Sequence, residues 1–119
     1  MDSLLTATFE AHNPAADRHR WYRVRVGRDL FGEWTLCLAY GRTGQAGQQL
    51  LFSASSAEPL QTRLRDHLRR RLSAPRRIGC AYRLVALDAV ADFDVPGWLP
   101  PALLARLVPG DPRPSEHHP

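Results

Sequence analysis

Apolar and polar residues alternate in two neighbouring stretches of the chain. Tyr22, Val24 and Val26 are interleaved with Trp21, Arg23 and Arg25, which predicts a strand with one apolar face and one basic, aromatic face. After Asp29-Leu30-Phe31-Gly32 the alternation resumes, with Trp34, Leu36, Leu38 and Tyr40 set against Thr35, Cys37 and Ala39. These two strands most simply pair antiparallel. Leu4 to Ala11, which ends at the turn signal His12-Asn13-Pro14, predicts a first strand, and Gln49-Leu50-Leu51-Phe52 predicts another. The period then changes. Ser55-Ser56-Ala57-Glu58-Pro59 has the hydroxyls, acid and proline of a helix start. From there Leu60, Leu64, Leu68 and Leu72 recur every four residues, an apolar stripe along a helix of about four turns. Ser73-Ala74-Pro75 is expected to stop this helix, and Cys80 to Leu87 reads as a closing strand.

After Asp88 the pattern dissolves, because seven of the ten prolines fall between Asp92 and Pro119. Trp98-Leu99 and Leu103-Leu104-Leu107 predict one short helix over 100–108 that docks back, and Gly110 to Pro119 is expected to be disordered. The expected architecture is α+β. An antiparallel sheet of about four to five strands carries one main helix over residues 1–88, and 89–119 form an acidic, proline-rich tail.

Length and charge narrow the function classes. A chain of 119 residues, 44% hydrophobic, makes one domain and is too short for separate cofactor and substrate domains. All 16 basic residues are arginine, and with a single isoleucine and a single asparagine the absence of lysine reads as GC-rich coding. Its physical consequence is a surface of planar, five-donor forks suited to phosphate or carboxylate. The charge is uneven. Residues 1–59 balance six arginines with six acids; residues 60–83 set eight arginines against Asp66, net +7; residues 84–119 are net −3. A basic block followed by acids points to a polyanionic partner, against the plainer reading of a solvated helix face. No apolar run is long enough to span a bilayer and no signal segment is evident, so a cytoplasmic protein without membrane contact is expected. Cys37 and Cys80 lack a second pair for a metal or redox motif and read as free thiols. No cofactor and no metal are implied. The histidines, at 12, 19, 67, 117 and 118, form no nucleophile and base arrangement, so no catalytic residue and no enzyme is expected.

Between the strands lies Gly41-Arg42-Thr43-Gly44-Gln45-Ala46-Gly47-Gln48, in which Gly41, Gly44 and Gly47 mark a backbone that turns sharply or closely approaches something else. It has neither the ending of a P-loop nor a dinucleotide fingerprint. Taken in order, Trp21-Tyr22-Arg23-Val24-Arg25-Val26, Asp29-Leu30-Phe31-Gly32-Glu33-Trp34 and Tyr40 to Gln48 resemble the WGR domain, a module of poly(ADP-ribose) polymerases and of small bacterial proteins. The resemblance spans roughly Leu4 to Asp88 and departs at its centre, where the tryptophan of the naming tripeptide is Tyr40. In the polymerases this domain binds DNA at strand breaks, the tryptophan stacking on sugar and the arginine helping to join neighbouring domains. The resemblance therefore implies a non-catalytic nucleic-acid-binding module, with Arg42 as the retained arginine and without the transferase.

On that reading the nucleic-acid-binding residues are Tyr40, Arg42 and Gln48 in the loop region, together with Arg63, Arg65, Arg69, Arg70, Arg76 and Arg77. The expected partner is double-stranded DNA with ends or nicks, bound by a monomer. Tyr40 has a second reading as the core aromatic ending its alternating face, and Arg42 as a turn arginine bonded to carbonyls. The alternative function is an adaptor whose arginine face grips an acidic protein. A third reading has the tail acids Asp88, Asp92, Asp94, Asp111 and Glu116 shield the basic face, against a merely solubilising tail.

Overall fold

The computed structural model describes residues 2–109, so the expectation for Gly110 to Pro119 lies outside the described residues. Five strands form one antiparallel sheet: β1 (Asp2–Asn13), β2 (Arg18–Arg28), β3 (Trp34–Arg42), β4 (Gln48–Ala54) and β5 (Arg83–Ala89), in the order β4-β3-β2-β1-β5. The alternation sets the inward face. Leu5, Ala7, Phe9 and Ala11 of β1, Tyr22, Val24 and Val26 of β2, and Leu36 and Leu38 of β3 are all buried. Helix α1 (Ala57–Arg70) lays Leu60, Leu64 and Leu68 on this face. The architecture is α+β with one main helix on an antiparallel sheet.

The residues expected to stop the helix do something else. After a single 3-10 turn (Arg71–Ser73), Pro75 sits in the first turn of a second helix, α2 (Ala74–Ile78), where a missing N–H leaves no carbonyl unsatisfied. The closing strand accordingly begins at Arg83 rather than at Cys80.

A larger difference lies beyond residue 88. Two short helices form where one was expected, α3 (Val95–Trp98) and α4 (Pro101–Leu107). Their residues Trp98, Leu99, Leu103, Leu107 and the following Val108 are buried in the same cluster as Leu5, Phe9 and Leu64. Trp98 packs against Trp34 of β3, ring centroids 5.5 Å apart, and stacks on Phe93 at 6.2 Å. One hydrophobic core therefore runs across the division expected from composition. Asp94, one of the tail acids that the third reading had shield the basic face, caps α3, its carboxylate accepting from the Gly97 N–H at 3.1 Å.

The two ends of the sheet differ in character. The β2–β3 hairpin, the start of α1 and the exit of β5 share one end, where Trp34 pairs with Ala54 and the Val90 N–H donates to the Leu4 carbonyl. Asp29, Glu33, Glu58, Asp88 and Asp92 gather there with Arg28. At the other end lie the β1–β2 and β3–β4 connections, the C-terminus of α1, and α2, which Asn13 and Arg18 tie down by donating to the carbonyls of Ile78 and Arg77. Most of the arginines are at that end.

His67 is the one buried histidine among the described residues, its ring 6.0 Å from Phe52. Burial first, then Arg70, Arg71 and Arg63, push its pKa below the ordinary value, with Asp66 opposing. The unfolded chain, with a histidine pKa of about 6.5, thus takes up this proton more readily than the folded one. The contribution is fully favourable above that pH and is lost as the pH falls below it. Urea unfolding at pH 7.5 and 5.5 should show a loss of stability on acidification that His67→Leu reduces; an identical loss in the variant would exclude His67 as its source.

Candidate functional site

The basic end of the sheet holds a cleft built on aromatic rings. Tyr22 is the last fully buried residue on the inward row of β2, and Tyr40 and Tyr82 sit beside it with centroids 6.0 and 6.5 Å away. Arg71 closes this group from the helix side. Its guanidinium lies 4.5 Å from the Tyr22 centroid and 4.7 Å from that of Tyr40, within cation–π range of both. Burial raises the Tyr82 hydroxyl pKa above its usual value against the pull of Arg71, Arg77 and Arg20, and burial likewise raises that of Tyr22. The Tyr22 hydroxyl, though buried, has no hydrogen-bond partner among the described residues. Beside the rings opens a cleft of 310 Å³ lined by Arg20, Arg42, Arg71 and Arg77 together with Trp21, Tyr40, Gly41, Ile78 and Tyr82. Among the described residues no carboxylate lines it.

The glycine-punctuated loop closes one wall. A Cβ on Gly41 would come within 2.7 Å of the Gly47 Cα, and one on Gly47, whose φ is +73°, would collide with the Tyr40 carbonyl and the Trp21 ring. Two backbones in contact thus pinch the loop shut against the indole. The Trp21 Nε1–H donates to the Arg42 carbonyl at 2.9 Å, and the Gln45 N–H donates to the same oxygen at 3.0 Å. Gly44, at φ +88°, has open space around it and serves the turn alone.

The residues singled out from the sequence are placed unevenly. Tyr40, Arg42 and Arg77 line the cleft. The half-buried ring of Tyr40 ends the inward row while also forming cleft wall, and its hydroxyl donates to Gln48 Oε1 at 3.0 Å. Gln48 is thereby a support for Tyr40. Arg42 holds its loop through its carbonyl, and its guanidinium is exposed. The helix arginines divide between two flanks. Arg63 lies over Phe52 at 4.5 Å, on the β4 side, and Arg70, seven residues on, shares that flank and reaches the cleft end. Arg65 and Arg69 turn to the other flank, where Gln61 lies against Gly97 of α3. They are engaged locally, Arg65 donating to Thr62 Oγ1 at 3.2 Å and Arg69 pairing with Asp66 at 3.3 Å. Arg76 and Arg77 lie on α2, with Arg77 Nε donating to Ser73 Oγ at 2.7 Å.

Arg20 and Arg71 were not among the sequence-derived candidates. Each carried a signal. Arg20 is in phase with Tyr22, Val24 and Val26, and Arg71 falls seven residues after Leu64, on the apolar stripe. An arginine at the end of a core-facing row is one whose charge is turned toward the same space as the core's last rings.

The WGR domain family matches residues 5–73, from β1 to the 3-10 turn after α1. The chain belongs to this family. The WGR domain is generally a nucleic-acid-binding module and is a binding domain rather than a catalytic one. Its naming tripeptide is here Tyr40-Gly41-Arg42, at the mouth of the cleft, and the match ends before Arg77, Ile78 and Tyr82, which complete the cleft. A comparison with curated proteins found no match. Among the described residues no helix is long and apolar enough to cross a membrane, and no group of three or more His, Cys, Asp and Glu residues is placed to hold a metal ion.

Proposed function

We propose that this WGR domain binds DNA at ends or nicks through the arginine-rimmed cleft, with Tyr40 as a stacking surface and Arg20, Arg42, Arg71 and Arg77 on phosphates. One observation carries the reading: Arg20 and Arg42 stand directly opposite each other across β2 and β3, with no acid among the described residues in the cleft that Arg71 and Arg77 also enter. Like charges opposed in a sheet are destabilising, and a polyanion is the partner that turns this cost into affinity. An open cleft with an aromatic wall suits a terminal nucleotide whose sugar or base face is uncovered, as at an end or nick. Arg70 and Arg76 extend the basic surface for the flanking duplex. Arg63, Arg65 and Arg69 lie outside the cleft and contribute at most to its surrounding field.

Anisotropy titrations of nicked 5′-phosphorylated, blunt and single-stranded DNA at several salt concentrations test this. With four arginines on phosphates, log K should fall against log salt with a slope of about −3 to −4 on duplex. Absence of binding at about 50 mM salt, or a slope unchanged by Arg42→Ala with Arg77→Ala, would sink the proposal. Guanidinium forks also take carboxylates. Binding of an acidic peptide by this cleft with none of DNA would favour the adaptor reading instead.

A further inference from the structure

At the acidic end of the sheet the β2–β3 turn presents Leu30 and Phe31 to solvent, 97% and 89% exposed. Turn positions of this kind are ordinarily polar, and two adjacent large apolar side chains have no folding role there. The turn that carries them is held firmly. The Asp29 carboxylate accepts from the N–H groups of Phe31 at 2.8 Å and Glu33 at 2.9 Å, and the Gly32 N–H donates to the Asp29 carbonyl at 3.1 Å. Arg28 donates to the Gly32 carbonyl at 2.9 Å while its guanidinium lies 4.5 Å over the Trp34 ring. The knuckle is thus pre-ordered, so binding through it loses little conformational entropy.

Asp29 and Glu33 bracket the two apolar side chains. A matching receptor is an aromatic-walled hollow rimmed by cations and, among the described residues, free of acids, which describes the cleft at the opposite end of this same chain. We infer that the Leu30–Phe31 knuckle of one copy docks into the Tyr40–Tyr82 cleft of a second, Phe31 against the tyrosine rings beside Arg71 and the two acids facing Arg20, Arg42 and Arg77. Knuckle and cleft lie at opposite ends of the strands, so the contact is head-to-tail and leaves a free knuckle and a free cleft at the ends of every open assembly. Two apolar side chains and two acids make a contact smaller than a standard interface, so a weak affinity, on the order of 100 μM, is expected. The inference shares its cleft with the proposed nucleic-acid site, and the two occupants exclude each other there.

Sedimentation velocity of the full chain from about 10 μM to 1 mM, at about 50 and 500 mM salt, reads this directly. The expected result is a sedimentation coefficient that rises with concentration at low salt and much less at high salt. Leu30→Ser with Phe31→Ser, confined to an exposed turn, should weaken association at least tenfold and leave DNA affinity at nanomolar protein unchanged. Mixing this variant with Arg42→Glu, whose cleft is spoiled but whose knuckle is intact, should restore association only as far as a dimer. A wild-type chain monomeric throughout, association that survives loss of the knuckle, or a mixture that forms no dimer would each overturn the inference. Nicked duplex should disperse the wild-type assemblies; assemblies that obey every other arm and ignore the duplex convict the nucleic-acid reading alone.

Discussion

Trp98→Ala is expected to cost about 3–5 kcal/mol of stability, the loss seen when a large buried aromatic is truncated. Trp98 is 1% exposed and is held between Trp34 and Phe93. For a domain whose total stability is about 5–15 kcal/mol, such a loss lowers the melting temperature by about 10–20 °C. Scanning calorimetry of the full chain measures it, and a loss below about 1 kcal/mol would contradict the placement of α3 in the core. Truncation after Asp88 removes Trp98, Leu99, Leu103, Leu107 and Val108 together, so the shortened chain is expected not to fold. Its failure to bind DNA would then say nothing about a shielding role for the acids.

Arg71→Ala is expected to give the largest loss of nucleic-acid affinity among single arginine replacements, about 10- to 100-fold, with the salt slope reduced by about 0.9. Two losses coincide. One phosphate contact goes, and the ring of Tyr40 loses the guanidinium that packs on it. Arg71→Lys should recover only part of the affinity, because a compact ammonium reproduces neither the planar stacking nor the fork. Arg65→Ala with Arg69→Ala, on the α3 flank, should change affinity less than threefold, a field effect without direct contact. Anisotropy titrations with near-ultraviolet circular dichroism on each variant separate binding from folding. Equal losses for the Arg71 and the Arg65/Arg69 variants would show that charge alone, wherever it lies on α1, determines binding.

Most of the fold was legible because alternation and the leucine spacing each bury a single face. Tyr22, Val24, Val26, Leu36 and Leu38 point inward as their period requires, and Leu60, Leu64 and Leu68 meet them. The segment after residue 88 was expected to dock one short helix and docks two, for a physical reason. Proline density usually signals open chain, yet Pro96 and Pro101 occupy the first turns of α3 and α4, where proline is tolerated and its fixed φ favours the helix. Short helices also carry too few turns to display a period, so Trp98 and Leu103 were read together as parts of one helix over 100–108. At the site, counting arginines along α1 found the basic block without its geometry. A helix spreads consecutive residues by about 100°, which sends Arg63 and Arg69 to different flanks, while the arginine that matters to the rings, Arg71, lies two turns after Leu64 and faces the same way.

The separation of charge along the strands has a kinetic consequence. β2 alone spans about 35 Å, several times the screening length of about 10 Å at 0.1 M salt, so an approaching polyanion acts on the two ends almost independently. It attracts the arginine end and repels the end bearing Asp29, Glu33 and Asp88, and these opposed forces exert a torque on the molecule during diffusion. The chain is turned to face the polyanion cleft-first before contact, so fewer collisions arrive in the wrong orientation and the association rate exceeds what a net charge of only +4 would produce.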